Sequence, residues 1–223
     1  MREQKTYYSF HDIPFGTSEN YNRFNFEQGM KFSRGEIIQI IIAMGVLTLA
    51  FSFALAPYPP LSNIGSVISN IPLSFLAIAT AFVCHELAHK YVGQKFGYWS
   101  EFRMFPQGLL LALFLGVVLG VVFAAPGAVQ IFGNPNRAES GKMAAAGPST
   151  NLAISGISSL LWLSFTGYIG YIFFFIAYIN AFLAFFNLLP FGPLDGMKIF
   201  RWKKEVWIIL IIVSIIIFIG LMF

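Results

Sequence analysis

The sequence predicts an all-α polytopic membrane protein with about five spanning helices and one re-entrant apolar segment near residues 108–132. Three observations carry this prediction. Of 223 residues, 57% are hydrophobic and 11% charged, with 26 phenylalanines, which is more apolar surface than a soluble chain of this size can bury. The apolar residues arrive in runs of about twenty, the length a helix needs to cross roughly 30 Å of hydrocarbon. The fourteen lysines and arginines fall into a few clusters, and these set the topology.

Residues 1–35 read as a polar arm that carries Arg2, Lys5, Arg23, Lys31 and Arg34. It is too short for a sizeable core of its own and is expected to lie on the cytoplasmic membrane surface. The opening MREQKTYYSFHDIPFG has neither an apolar core nor a small-residue cleavage site, so it does not read as a signal peptide. Apolar segments follow at 36–56, 72–92, 108–132, 143–165, 168–189 and 206–223. Residues 36–223 are read as one membrane-embedded domain with its core at about 72–200.

Cytoplasmic loops keep Lys and Arg, whereas short translocated loops lack them. Beyond the arm, Lys90, Lys95 and Arg103 follow the second segment, and Arg137 and Lys142 precede the fourth. Lys198, Arg201, Lys203 and Lys204 precede the last. The loops PYPPLSNIGSVISNIP and TGYIG carry no charge and read as outside turns. Residues 93–107 and 133–142 then both lie inside, so the segment GLLLALFLGVVLGVVFAAPGAVQIF must enter and leave on one face. Gly116, Gly120, Pro126 and Gly127 permit bends there, and its β-branched valines suit short strands, giving a possible membrane-associated β-hairpin. The alternative is six spanning helices, with Gly116 and Gly120 on a packing face.

A single cysteine, Cys84, excludes an intramolecular disulfide. The net charge of +4 fits basic loops against anionic lipid. No basic and aromatic patch stands apart from the membrane flanks, so nucleic-acid binding is not expected.

The stretch VCHELAHKYVG places His85, Glu86 and His89 near the inner end of the second segment. Residues four apart share a helix face, so His85 and His89 can grip one ion. Two neutral imidazoles suit zinc, which in catalytic sites takes three protein ligands and leaves a position open. Glu86, turned about 100° around the helix, can instead take a proton from water. A carboxylate in mid-membrane costs about 2.5–3.5 kcal/mol, and no basic residue inside the run offsets it; a bound metal would. Lys90 and Lys95 read as interfacial anchors just beyond.

The third ligand comes from a small pool, and Asp195 in NLLPFGPLDG stands out within it. It follows an apolar span that Pro190 and Pro193 terminate, while Gly192 and Gly196 allow a close turn. Asn151, in AAAGPSTNLAISG, can act as helix-packing glue or as an amide donor to a peptide carbonyl or developing oxyanion.

These residues, in this order, resemble the three signatures of the site-2 protease family of intramembrane zinc metalloproteases. They are His85-Glu86-x-x-His89, Gly147-Pro148-x-x-Asn151 and Asn187-x-x-Pro190-x-x-Pro193-x-Asp195-Gly196. The likeness covers roughly residues 72–200 and departs from the pattern at Met197, where the family usually has a second glycine. It implies that His85, His89 and Asp195 bind one Zn²⁺, that Glu86 activates water, and that Asn151 and Asn187 line the cleft. It also implies that the partner is a transmembrane protein substrate cut within or near its membrane helix. The expectation is a multi-pass protein of the cell membrane, with its N-terminus cytoplasmic and its active site opening toward the cytoplasm. The rival readings are a zinc or proton transporter, in which His and Asp form a relay, and a non-catalytic membrane binding protein.

Overall fold

The computed structural model describes residues 29–122 and 126–223, so most of the predicted arm lies outside the described residues. Helix α1 (Arg34–Ala54) starts where Ser33 Oγ accepts the Glu36 N–H at 3.1 Å, a side-chain cap for an otherwise orphan donor. A short 3₁₀ turn at Pro60–Ser62 leads into α2 (Ile64–Ile78). A π turn at Ala79–Val83 joins α2 to α3 (Cys84–Lys95), and together they make one continuous 32-residue helix.

That helix starts earlier than the sequence predicts. Residues 64–71 were expected in an outside loop, yet they are helical, and Pro72 sits inside α2. An interior proline removes one backbone hydrogen bond and costs about 3 kcal/mol or more in isolation. The offset is packing: Leu73 and Ala77 are buried with Phe175, against Phe51 and Leu55 of the α1 end. The outside turn after α5 is likewise shorter than TGYIG, consisting of Phe165 and Thr166.

Residues 108–132 divide into a helix and a strand. Helix α4 (Pro106–Leu119) has Pro106 in its first turn, where its missing N–H costs nothing, and it ends at Gly120 with φ 67°. Its 14 residues span about 21 Å, against roughly 30 Å of hydrocarbon. At Gly116 a Cβ would lie 2.6 Å from the Ala50 carbonyl oxygen, so the glycine lets α4 touch the α1 backbone. Strand β2 (Gly127–Phe132) then pairs antiparallel with β1 (Trp99–Met104), from Trp99↔Phe132 to Met104↔Gly127. The chain is therefore not purely α-helical. The hairpin expected inside 108–132 is instead formed with β1, which precedes that segment, because β1 offers an unpaired edge next to it. The Phe105 N–H donates to the Pro126 carbonyl at 2.9 Å, so both ends of the α4 excursion meet at one point.

The outer edge of β1 is closed by α1 side chains. Glu36 Oε1 accepts the Phe102 N–H and Gln39 Oε1 accepts the Met104 N–H, both at 2.9 Å. Unpaired edge donors buried away from water are costly, so these two polar residues take the place of a third strand.

Helix α5 (Arg137–Ser164) opens with a full capping box, Asn136 and Glu139 each accepting the other's backbone N–H. It packs on α3, on α6 (Gly167–Asn187) and on α7 (Asp195–Trp202). Gly141 permits the last contact, since a Cβ there would overlap Trp202. Helix α8 (Lys204–Gly220) closes the bundle, with the Trp207 indole N–H donating to the Leu188 carbonyl at 2.7 Å. Among the described residues, three helical stretches are long and apolar enough to cross a membrane: Arg34–Ala54, Ile64–Lys95 and Gly167–Asn187.

Candidate metal centre

The His85–His89 pair sits on α3 just after the π turn, and α5 and α7 bring the rest of the site to it. His85 Nε2 and His89 Nε2 lie 3.0 Å apart, and Asp195 Oδ2 is 3.4 Å and 2.9 Å from them respectively. One potential ligand atom from each residue falls within 4.8 Å of the other two. Asp195 opens α7 as its first residue. Gly196 makes that position possible, because a Cβ there would overlap the Leu188 carbonyl. Met197, where the resemblance would place another glycine, is half-buried on α7, so the turn closes without it.

The remaining nitrogens of both rings face acceptors. His85 Nδ1 is 2.5 Å from Asn151 Oδ1, and His89 Nδ1 is 2.8 Å from the Met143 carbonyl. The orientation of Asn151 is itself fixed, since its Nδ2 donates to the Ala81 carbonyl at 2.8 Å and to Asn180 Oδ1 at 2.9 Å. Each neutral imidazole therefore carries its proton on Nδ1 and turns a lone pair on Nε2 toward the other. Two lone pairs and a carboxylate oxygen converging at this distance repel unless a cation or proton lies among them. The donor set of two imidazoles and one carboxylate is one that zinc takes in catalytic sites. Space is kept for it as well: a Cβ at Gly147 would lie 2.6 Å from His85 Nε2 and closer still to His89 Nε2. The three residues thus fit zinc.

Glu86 points elsewhere. Its Oε2 accepts the Val129 N–H of β2 at 2.9 Å, and it lines the same cleft as the three converging groups. This open cleft, of about 900 Å³, is bounded by β2, the end of α6 and the loop Phe191–Leu194. Asn187 lines it too, with its Nδ2 donating to the Leu183 carbonyl one turn back. Asn151 does not. It is fully buried behind His85 with both amide hydrogens engaged, which leaves neither for a substrate carbonyl or an oxyanion. Its side-chain oxygen faces His85 Nδ1.

Three participants escaped the sequence reading. Asn180 lies in the middle of an apolar helix without a motif around it. The Met143 carbonyl and the Val129 N–H are backbone groups that carry no sequence signal. The interfacial-anchor reading of Lys90 is overturned, because its side chain is fully buried and paired with Glu36.

Fold and site together define a zinc metalloprotease carried on apolar helices. The comparisons with known proteins agree. A profile of peptidase family M50 matches residues 163–208. A protein of Methanocaldococcus jannaschii that bears the provisional name zinc metalloprotease is 41% identical over 182 residues, which cover 80% of this chain and 90% of that protein. No solved structure matches the chain. The chain belongs to peptidase family M50, the site-2 protease family.

Proposed function

We propose that this protein is an intramembrane protease that hydrolyses a peptide bond within or near a transmembrane helix of another membrane protein. The observation that carries the reading is the position of Glu86, one residue from His85 and on the cleft wall, within a 32-residue helix long and apolar enough to cross a membrane. His85, His89 and Asp195 would hold the metal. Bound zinc would supply a Lewis acid that polarises the scissile carbonyl and lowers the pKa of water.

The remaining work falls to the chain. Glu86 takes the proton of the attacking water and passes it to the leaving amine. The Val129 N–H holds one oxygen of that carboxylate, so the base is oriented before substrate arrives. Asn151 keeps His85 in the tautomer whose Nε2 faces the site. Asn187, on the cleft wall, contacts the substrate backbone. A substrate helix has its carbonyls paired internally and must unwind locally to expose one.

The same proposal covers topology. α1, the Ile64–Lys95 helix, α5, α6 and α8 cross the membrane, and α4 re-enters from the side that holds the sheet. The short α4 and the meeting of its two ends at Phe105 and Pro126 support this. Residues 36–223 form one protease domain in the cell membrane, preceded by a cytoplasmic arm at 1–35, with the cleft opening toward the cytoplasm. Metal analysis of the purified chain, with cleavage of a panel of single-span substrates by wild type and Glu86→Gln, tests the assignment. One zinc per chain in both and cleavage by the wild type alone are expected; cleavage by Glu86→Gln at the wild-type rate refutes it.

A further inference from the structure

Behind the metal-facing groups runs a chain of buried amides that ends on α6. His85 Nδ1–H donates to Asn151 Oδ1, and Asn151 Nδ2 donates to Asn180 Oδ1 at 2.9 Å. Asn180 Nδ2 in turn donates to the Ile176 carbonyl at 2.9 Å and to Thr80 Oγ1 at 3.3 Å. Neither asparagine is exposed at all.

Each amide has a definite direction. If Asn180 were turned over, its NH₂ would face the NH₂ of Asn151 and its oxygen would face the Ile176 carbonyl. Both contacts would be repulsive, and at fully buried amides unmade hydrogen bonds are costly. The direction set at Ile176 is therefore passed on: Asn180 must offer oxygen, Asn151 must donate, and Asn151 must then offer oxygen to His85. The Thr80 hydroxyl completes the arrangement. It donates to the Leu76 carbonyl at 2.8 Å, which leaves a lone pair to accept from Asn180, and it lies in the π turn immediately before α3.

We propose that Asn180 is a positioning residue for the metal centre. It fixes the amide of Asn151 and, through it, the tautomer and ring orientation of His85. The inference rests on the reading of His85, His89 and Asp195 as zinc ligands. Groups one step behind a ligand typically alter metal affinity by about 10- to 100-fold when removed.

The test measures zinc affinity of the full chain in detergent by chelator competition, together with the absorption spectrum of the cobalt(II)-substituted protein. Asn180→Leu removes the acceptor at similar volume. Asn180→Asp, neutral as the acid at this fully buried position, keeps an oxygen for Asn151 and an O–H for the Ile176 carbonyl. Ser155→Ala removes a different buried α5–α6 hydrogen bond, from Ser155 Oγ to the Ala177 carbonyl at 2.8 Å, which has no path to His85. We expect zinc affinity to fall about 10- to 100-fold in Asn180→Leu, with a changed cobalt spectrum. Asn180→Asp should stay within a few-fold of wild type and Ser155→Ala should match it. An Asn180→Leu chain with wild-type affinity and spectrum overturns the assignment. If that variant does not fold, a folded Asn180→Asp chain that loses zinc about 10-fold or more overturns it equally, because the acceptor it retains is the group the proposal depends on. A wild-type chain that binds no zinc contradicts the metal reading itself, whereas failure confined to the Asn180 variants contradicts only the role of Asn180.

Discussion

Lys90 Nζ lies 2.7 Å from Glu36 Oε2, with neither side chain exposed, and the same ammonium donates to the Ser100 carbonyl at 2.7 Å. The ring of Phe32 covers it at 4.7 Å. Because Glu36 Oε1 also accepts the Phe102 N–H, one ion pair ties α1, α3 and β1 together. Breaking a buried pair by removing one partner leaves an uncompensated charge and costs about 3–5 kcal/mol. Lys90→Met is therefore expected to lower unfolding stability in detergent by about that amount. The double variant Glu36→Gln/Lys90→Met should lose clearly less than the sum of the two single changes. Strict additivity in the double-mutant cycle would show that the pair is not coupled.

Gly147 faces the histidines without a side chain, and a Cβ there would lie 2.6 Å from His85 Nε2. Gly147→Ala is helix-compatible by propensity and should leave secondary structure intact. It should nevertheless weaken zinc by about 100-fold, the upper end of what a displaced ligand environment produces. Chelator competition reads the change. A Gly147→Ala chain with wild-type zinc affinity would mean that the metal does not sit where these groups converge.

The return of the chain at Phe105 and Pro126 predicts a labelling pattern. With Cys84 replaced by Ser, a cysteine at Asn134 should react with a membrane-impermeant thiol reagent only from the cytoplasmic face, and one at Ser62 only from outside. Phe114 and Val118, exposed on the short α4, should be shielded from the reagent on both faces. Labelling of Asn134→Cys from outside would make α4 part of a complete crossing and require the six-span arrangement.

Parts of this architecture are legible in the sequence because they are local. The spacing of His85 and His89 places them on one face whatever the surrounding fold. Asp195 follows from a helix-ending Pro–Gly turn, and the apolar segments at 36–56 and 168–189 lie within a few residues of α1 and α6. What escaped is set by contacts distant along the chain. Lys90 lies among charges that look like a membrane flank, and only the approach of Glu36, 54 residues away, buries it. Asn180 has no neighbouring motif, and its function lies in Asn151 on another helix. The pairing of β1 with β2 spans an intervening helix that no hairpin rule anticipates. Pro72 ends the uncharged loop of the sequence reading, yet the helix runs through it, held by packing against Phe51 and Leu55.

The most direct measurement reconstitutes the protein in liposomes with a single-span substrate and maps the cut bond by mass spectrometry. The expected result is one cleavage within or near the membrane segment that requires zinc. Glu86→Gln should slow it by about 10²- to 10⁴-fold while keeping one zinc per chain. Cleavage by Glu86→Gln at the wild-type rate, or zinc flux across the vesicle with the substrate left intact, would contradict the account.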